Sequence, residues 1–149
     1  MELGRGPASF FDDVDRSYVV AQLEGRMDAP VELTVTARRS SPLAITPAAG
    51  AEEAARAERL ARELAALEPR IGVTVTGEGA GDVPALTVAS RASAGSVRFV
   101  GVPRVNLFRA LLEAVRRAST GDHGLPPGWA EALHALPQAV HARVFATPT

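Results

Sequence analysis

The stretch Asp82-Val83-Pro84-Ala85-Leu86-Thr87-Val88, followed after a short gap by Val97-Arg98-Phe99-Val100-Gly101-Val102-Pro103, does most to limit the folds open to this chain. Pro84 cannot donate to a sheet ladder, so it belongs at the first residue of a strand, where the missing N–H does no harm. The Val83–Pro84 bond is also a candidate cis peptide, because proline narrows the trans preference to about 0.5–1 kcal/mol. Ala92-Ser93-Ala94-Gly95 is a short glycine-containing link, so residues 84–91 and 96–100 read as a β-hairpin. Gly101 ends the second run, and Pro103 opens a helix.

The remaining elements fall around that hairpin. Residues 8–26 read as a helix with Ser9 as N-cap and Asp12 and Asp13 in the first turn, where the helix dipole favours them. Phe10, Phe11, Val14, Tyr18, Val19 and Leu23 recur on one side of it. Residues 31–37 alternate apolar and polar side chains with β-branched enrichment, the pattern of a strand. Residues 38–50 have the composition of a loop. Residues 51–67 form a strong helix candidate, with Leu60, Leu64 and Leu67 on one face and Glu58 four residues before Arg62. A strand is expected at 71–76. Gly77-Glu78-Gly79 then hints at a phosphate loop, but it leads into another strand and so provides no helix N-terminus for a phosphate.

Residues 102–118 are amphipathic, with Phe108, Leu111, Leu112 and Val115 on a common stripe. A connector at 120–128, a short helix at 129–136 and a strand at 140–146 complete the order α-β-α-β-β-β-α-α-β. The fold class is therefore α/β. The β-α-β part calls for a parallel crossover and the hairpin adds antiparallel strands, giving a central mixed four-stranded sheet flanked by helices on both faces, with an extra C-terminal strand. The chief rival is a ferredoxin-like sandwich with its helices on one face.

Composition restricts the chemistry. A chain of 149 residues has room for one domain with a proper core. Sixteen basic residues against seventeen acidic ones give a net charge of −1, which argues against nucleic acid or an anionic membrane as partner. The N-terminus lacks a signal-peptide pattern, and no apolar run approaches the roughly 20 residues of a membrane span, so a cytoplasmic location is expected. The absence of cysteine excludes disulfides, thiolate catalysis and thiolate metal sites in this chain. His123, His134 and His141 lie in separate segments without metal-ligand spacing, so neither a metal nor a cofactor is expected. Ser41, Asp122 and His123 lack the nucleophile elbow that a catalytic triad would want. Phe99, Phe108 and Trp129 read as core or inter-unit packing.

The run Val97 to Pro103, followed by Leu107-Phe108 and an apolar helix, resembles the end of the first thioredoxin-like unit in protein disulfide oxidoreductases built from two such units. It is similar as well to the matching part of the N-terminal domain of the alkyl hydroperoxide reductase flavoprotein subunit. The opening helix, Ala29-Pro30-Val31-Glu32-Leu33 and the closing Val144-Phe145-Ala146-Thr147-Pro148-Thr149 share in the likeness.

The resemblance implies a thioredoxin-like fold with Val83 and Pro84 at the cis-proline position that borders a dithiol groove. Arg38, Arg39, Ser40, Ser41 and Pro42 stand where the family has its Cys-x-x-Cys loop; they read as an anion or partner contact, or simply as a solvated loop. Residues 1–119 would form the thioredoxin-like unit. Residues 120–149 would hold a linker, a short helix and the first strand of a second unit that the chain lacks. Val140, Arg143, Val144 and Phe145 would then present an unpaired strand to a protein partner, a second thioredoxin-like unit or another copy of the chain. The expected function is a redox-inert scaffold or docking unit in a thiol–disulfide relay, without intrinsic enzyme activity. The alternative is the N-terminal fragment of an active glutaredoxin-like protein disulfide oxidoreductase whose Cys-x-x-Cys lies beyond Thr149. An unrelated α/β interaction module is a third reading.

Overall fold

A computed structural model describes residues 9–37, 50–77 and 84–146. Its elements are α1 (Asp13–Leu23), β1 (Val31–Thr36), α2 (Ala51–Leu67), β2 (Ile71–Thr76), β3 (Ala85–Ser90), β4 (Ser96–Val100), α3 (Asn106–Thr120) and α4 (Pro127–His134). The four strands make one mixed sheet in the order β2-β1-β3-β4. β1 and β2 run parallel, as the intervening helix requires, whereas β3 is antiparallel to both β1 and β4.

The period-2 alternation of β1 decides where the core lies. Val31, Leu33 and Val35 point to one face and are buried there with Leu86 and Val88 of β3, which sit opposite Val35 and Leu33 in the register. Against that face pack Leu60 and Leu64 of α2 and Leu111 and Val115 of α3. Val19 and Leu23 of α1, which bridges the two helices, complete the cluster. The other face carries a row of polar side chains in register, Thr74, Thr34, Thr87 and Arg98, one from each strand.

The expectation of helices on both faces is therefore corrected for the described residues: α1, α2 and α3 all lie on the apolar face. A helix gains little by covering threonines, because it has no apolar area to bury there. This is the placement expected of the sandwich rival, so layer arrangement alone does not separate the two folds.

Helix starts depart from expectation for local reasons. Asp12, not Ser9, caps α1, its Oδ1 accepting the Asp15 N–H at 2.8 Å. Ser9 is instead drawn 54 residues along the sequence to Glu63 of α2, donating its hydroxyl at 2.8 Å. At the far end of α3, the buried Ser119 donates its hydroxyl to the Ala29 carbonyl at 2.5 Å and accepts the Asp28 N–H at 2.9 Å. That pair of bonds ties the helix to the approach to β1. Gly121 closes α3 in the left-handed region at φ 70, where glycine carries no Cβ penalty.

The expected C-terminal strand is absent. Residues 140–146 belong to no strand and are exposed throughout. Their alternating pattern is strand-like, but a strand exists only through a neighbouring ladder, and this segment lies along neither edge of the sheet.

Candidate functional site: two ends of one helix

The positions singled out in the sequence do not converge. Pro84 stands immediately before β3, and its carbonyl accepts the Gly101 N–H at 2.8 Å, closing the open end of the hairpin ladder. Val83 and Arg38, Arg39, Ser40, Ser41 and Pro42 fall outside the described residues. Val140, Arg143, Val144 and Phe145 belong to an arm that leaves the fold at Gly121, beside the β3–β4 turn. Pro84 and the arm's root are thus separated by the length of β3, six residues or about 20 Å.

The arm is the most apolar exposed part of the described chain. Leu125, Trp129, Leu133 and Leu136 recur at spacings of four, four and three, so α4 and its flanks carry one narrow apolar stripe. Trp129 is 66% exposed, and further along Val144 and Phe145 reach 89% and 91%. Among the described residues α4 packs against no other helix or strand. Trp129, expected in the core or in inter-unit packing, is thus outside the core.

A second feature lies at the opposite end of α3, where the sequence pattern marks only a sticky helix face. α1 and the start of α3 enclose an open trough of about 520 Å³. Its floor is aromatic: the rings of Phe11 and Phe108 approach to 5.4 Å, and Phe10 stands edge-on to Phe11 at 5.1 Å. Arg109 lies over the ring of Tyr18, 5.9 Å from its centroid.

The trough depends on a carboxylate clasp. Glu63 accepts the Ser9 hydroxyl at 2.8 Å and the backbone N–H groups of Phe10 and Phe11 at 2.6 and 3.2 Å. Arg16 of α1 stands 3.7 Å away. Burial alone would raise the Glu63 carboxyl, but the Phe10 N–H, the Ser9 hydroxyl, the Phe11 N–H and the charge of Arg16 together hold it below its ordinary value. On α3, hydrogen bonds from Arg116 and Arg117 lower Glu113 to about 2.

Val105 forms the rim of the trough with an unusual backbone, φ 48 and ψ −112. With Leu107 N–H bonded to the Arg104 carbonyl at 3.0 Å, residues 104–107 make a turn close to type II′. The first central residue of that turn sits near +60° and −120° and is normally glycine. This turn delays α3 to Asn106, four residues after the start expected from the apolar pattern. A β-branched residue here is strained. Val105→Gly is accordingly expected to raise the unfolding free energy by about 0.5–1 kcal/mol in urea titrations, despite the removal of a side chain.

The sequence matches no protein-family model and no curated protein. Solved structures do match. The NTD_N/C domain of alkylhydroperoxide reductase AhpF from Enterococcus faecalis (V583) superposes with a TM-score of 0.65 at 15% identity, over 86% of this chain and 62% of that one. A cysteine-to-alanine variant of AhpF from the same organism gives the same values. The fold is thioredoxin-like. At that identity the likeness is one of architecture, and it decides between the thioredoxin-like arrangement and the sandwich rival. This thioredoxin-like chain spans 62% of the length of the structures it matches. None of its described helices is long and apolar enough to cross a membrane.

Proposed function

We propose that this chain is a redox-inert thioredoxin-like docking unit that holds a dithiol-bearing thioredoxin-like partner in a thiol–disulfide relay. The unpacked apolar arm carries the reading. An amphipathic helix with a tryptophan at the centre of its stripe, left in solvent by the rest of the fold, is the form of an interface half that awaits its other half. The chain has no sulfur nucleophile of its own, so the relay chemistry must come from the partner.

The identity of the structural neighbours, an alkylhydroperoxide reductase, supports placing that partner in a peroxide-reducing relay. Their greater length favours a second version, in which the dithiol unit is joined to this one on a single polypeptide. Both versions use the same arm. Residues 140–146 would then pair as a strand with the partner's sheet, and Pro84 would act as a turn-setting residue at the other end.

An insulin-reduction assay with dithiothreitol, paired with sedimentation, tests this. The chain alone should run at the rate of dithiothreitol without protein, and a Cys-x-x-Cys thioredoxin-like unit should sediment with it as a one-to-one complex. Turnover by the cysteine-free chain, or failure to form that complex, would contradict the proposal. A stable dimer of the chain alone that is lost when residues 125–149 are deleted would replace the dithiol partner by a second copy.

A further inference from the structure

We infer that the trough between α1 and α3 is a second docking site, and that it takes an acidic peptide segment carrying an aromatic or aliphatic anchor. The inference is independent of the arm. The trough opens at the N-terminal end of α3 and the arm leaves from its C-terminal end, about 22 Å away along a helix of 15 residues.

Three observations lead to this occupant. The first is size and lining. About 520 Å³ over an aromatic floor is within the range of a binding site, and an open channel between two helices suits a length of chain better than an enclosed small molecule.

The second is charge. Among the described lining residues, Arg104, just before α3, and Arg109 on α3 stand against one acid, Asp15 of α1. Arg104 shares Glu53 with Arg56, two guanidinium groups on one carboxylate. Arg109 has only the Tyr18 ring as partner among the described residues, so its hydrogen-bond donors are available to an incoming carboxylate.

The third is the rim. Val14 and Val105 are large, apolar and mostly exposed on opposite lips of the trough. Val105 holds its place there on a backbone that glycine would adopt without strain. A strained residue that keeps an apolar side chain in solvent at the mouth of an aromatic channel fits a contact made on binding.

The test titrates acetyl-EFLE-amide, acetyl-KFLK-amide and acetyl-EGGE-amide into the full chain and follows backbone amide shifts by NMR. EFLE should move the resonances of residues 14–18 and 103–109 and bind at least tenfold more tightly than either control. Arg109→Glu should reverse the preference between EFLE and KFLK. Val105→Gly should bind EFLE at least threefold more weakly while melting at a higher temperature, a combination that misfolding cannot produce. Trp129→Asp, on the arm, should leave EFLE binding unchanged. Equal binding of EFLE and KFLK, shifts confined to residues 125–146, or unchanged EFLE binding by Val105→Gly would overturn the inference.

Discussion

Replacing Glu63 by alanine should lower the unfolding free energy by about 2 kcal/mol at neutral pH, the scale of losing charge-assisted hydrogen bonds to partly buried donors. The side chain is only one-fifth exposed, and it gathers three donors from residues more than fifty positions away. Without it, the Phe10 and Phe11 N–H groups lose their acceptor and the segment that seats Phe11 in the core loses its anchor.

The effect should depend on pH with a definite sign. The folded-state carboxyl lies below its ordinary value of 4.5, so the clasp contributes fully above that value and is lost as pH falls through the lowered one. Urea titrations of wild type and Glu63→Ala should therefore differ most near pH 7 and converge in strong acid. A gap that stays constant, or widens with acid, would contradict the clasp. Limited proteolysis should cut the variant first near residues 9–11.

Trp129→Asp and Leu133→Asp should separate docking from stability. Both side chains are mostly in solvent and α4 touches no other element among the described residues, so the unfolding free energy should move by no more than about 0.5 kcal/mol. Association with a dithiol-bearing thioredoxin-like unit should weaken by about 30- to 1000-fold, corresponding to the roughly 2–4 kcal/mol of a central aromatic anchor. Sedimentation against partner concentration reads this directly. An aspartate that unfolds the chain would mean that the stripe is packed, and one that leaves association intact would place the interface elsewhere.

Elements set by local pattern were legible from the residues. The alternation of Val31 to Thr36, the β-branched run at Ile71 and the Leu60/Leu64 spacing each contain their own answer, and β1, β2 and α2 lie where they were expected. What escaped depends on partners distant in the chain. Nothing in the sequence around Ser9 says that Glu63 will take it from its role as a cap, which passes to Asp12. Nothing in the apolar stripe of α3 says that Val105 will adopt a glycine-like turn and hold back the helix.

Thr34, Thr36, Thr74 and Thr76 give β1 and β2 a polar face, which the expectation of helices on both sides left out of account. The run at 140–146 failed for the opposite reason. Its pattern is strand-like, but no strand forms there, because pairing requires a second ladder that pattern cannot supply. The aromatic trough was half legible: Phe10, Phe11 and Tyr18 stood out as a sticky face, while Phe108 and Arg109 meet them only through the packing of α1 on α3.

Hydrogen exchange along the arm tests the docking account most directly. In the free chain the amides of residues 125–146 should exchange at nearly the unprotected rate while those of Leu33 and Leu86 in the sheet stay protected, and adding a Cys-x-x-Cys thioredoxin-like unit should slow the arm at least tenfold. An arm already protected in the monomeric free chain, or one whose exchange the added unit leaves unchanged, would contradict it.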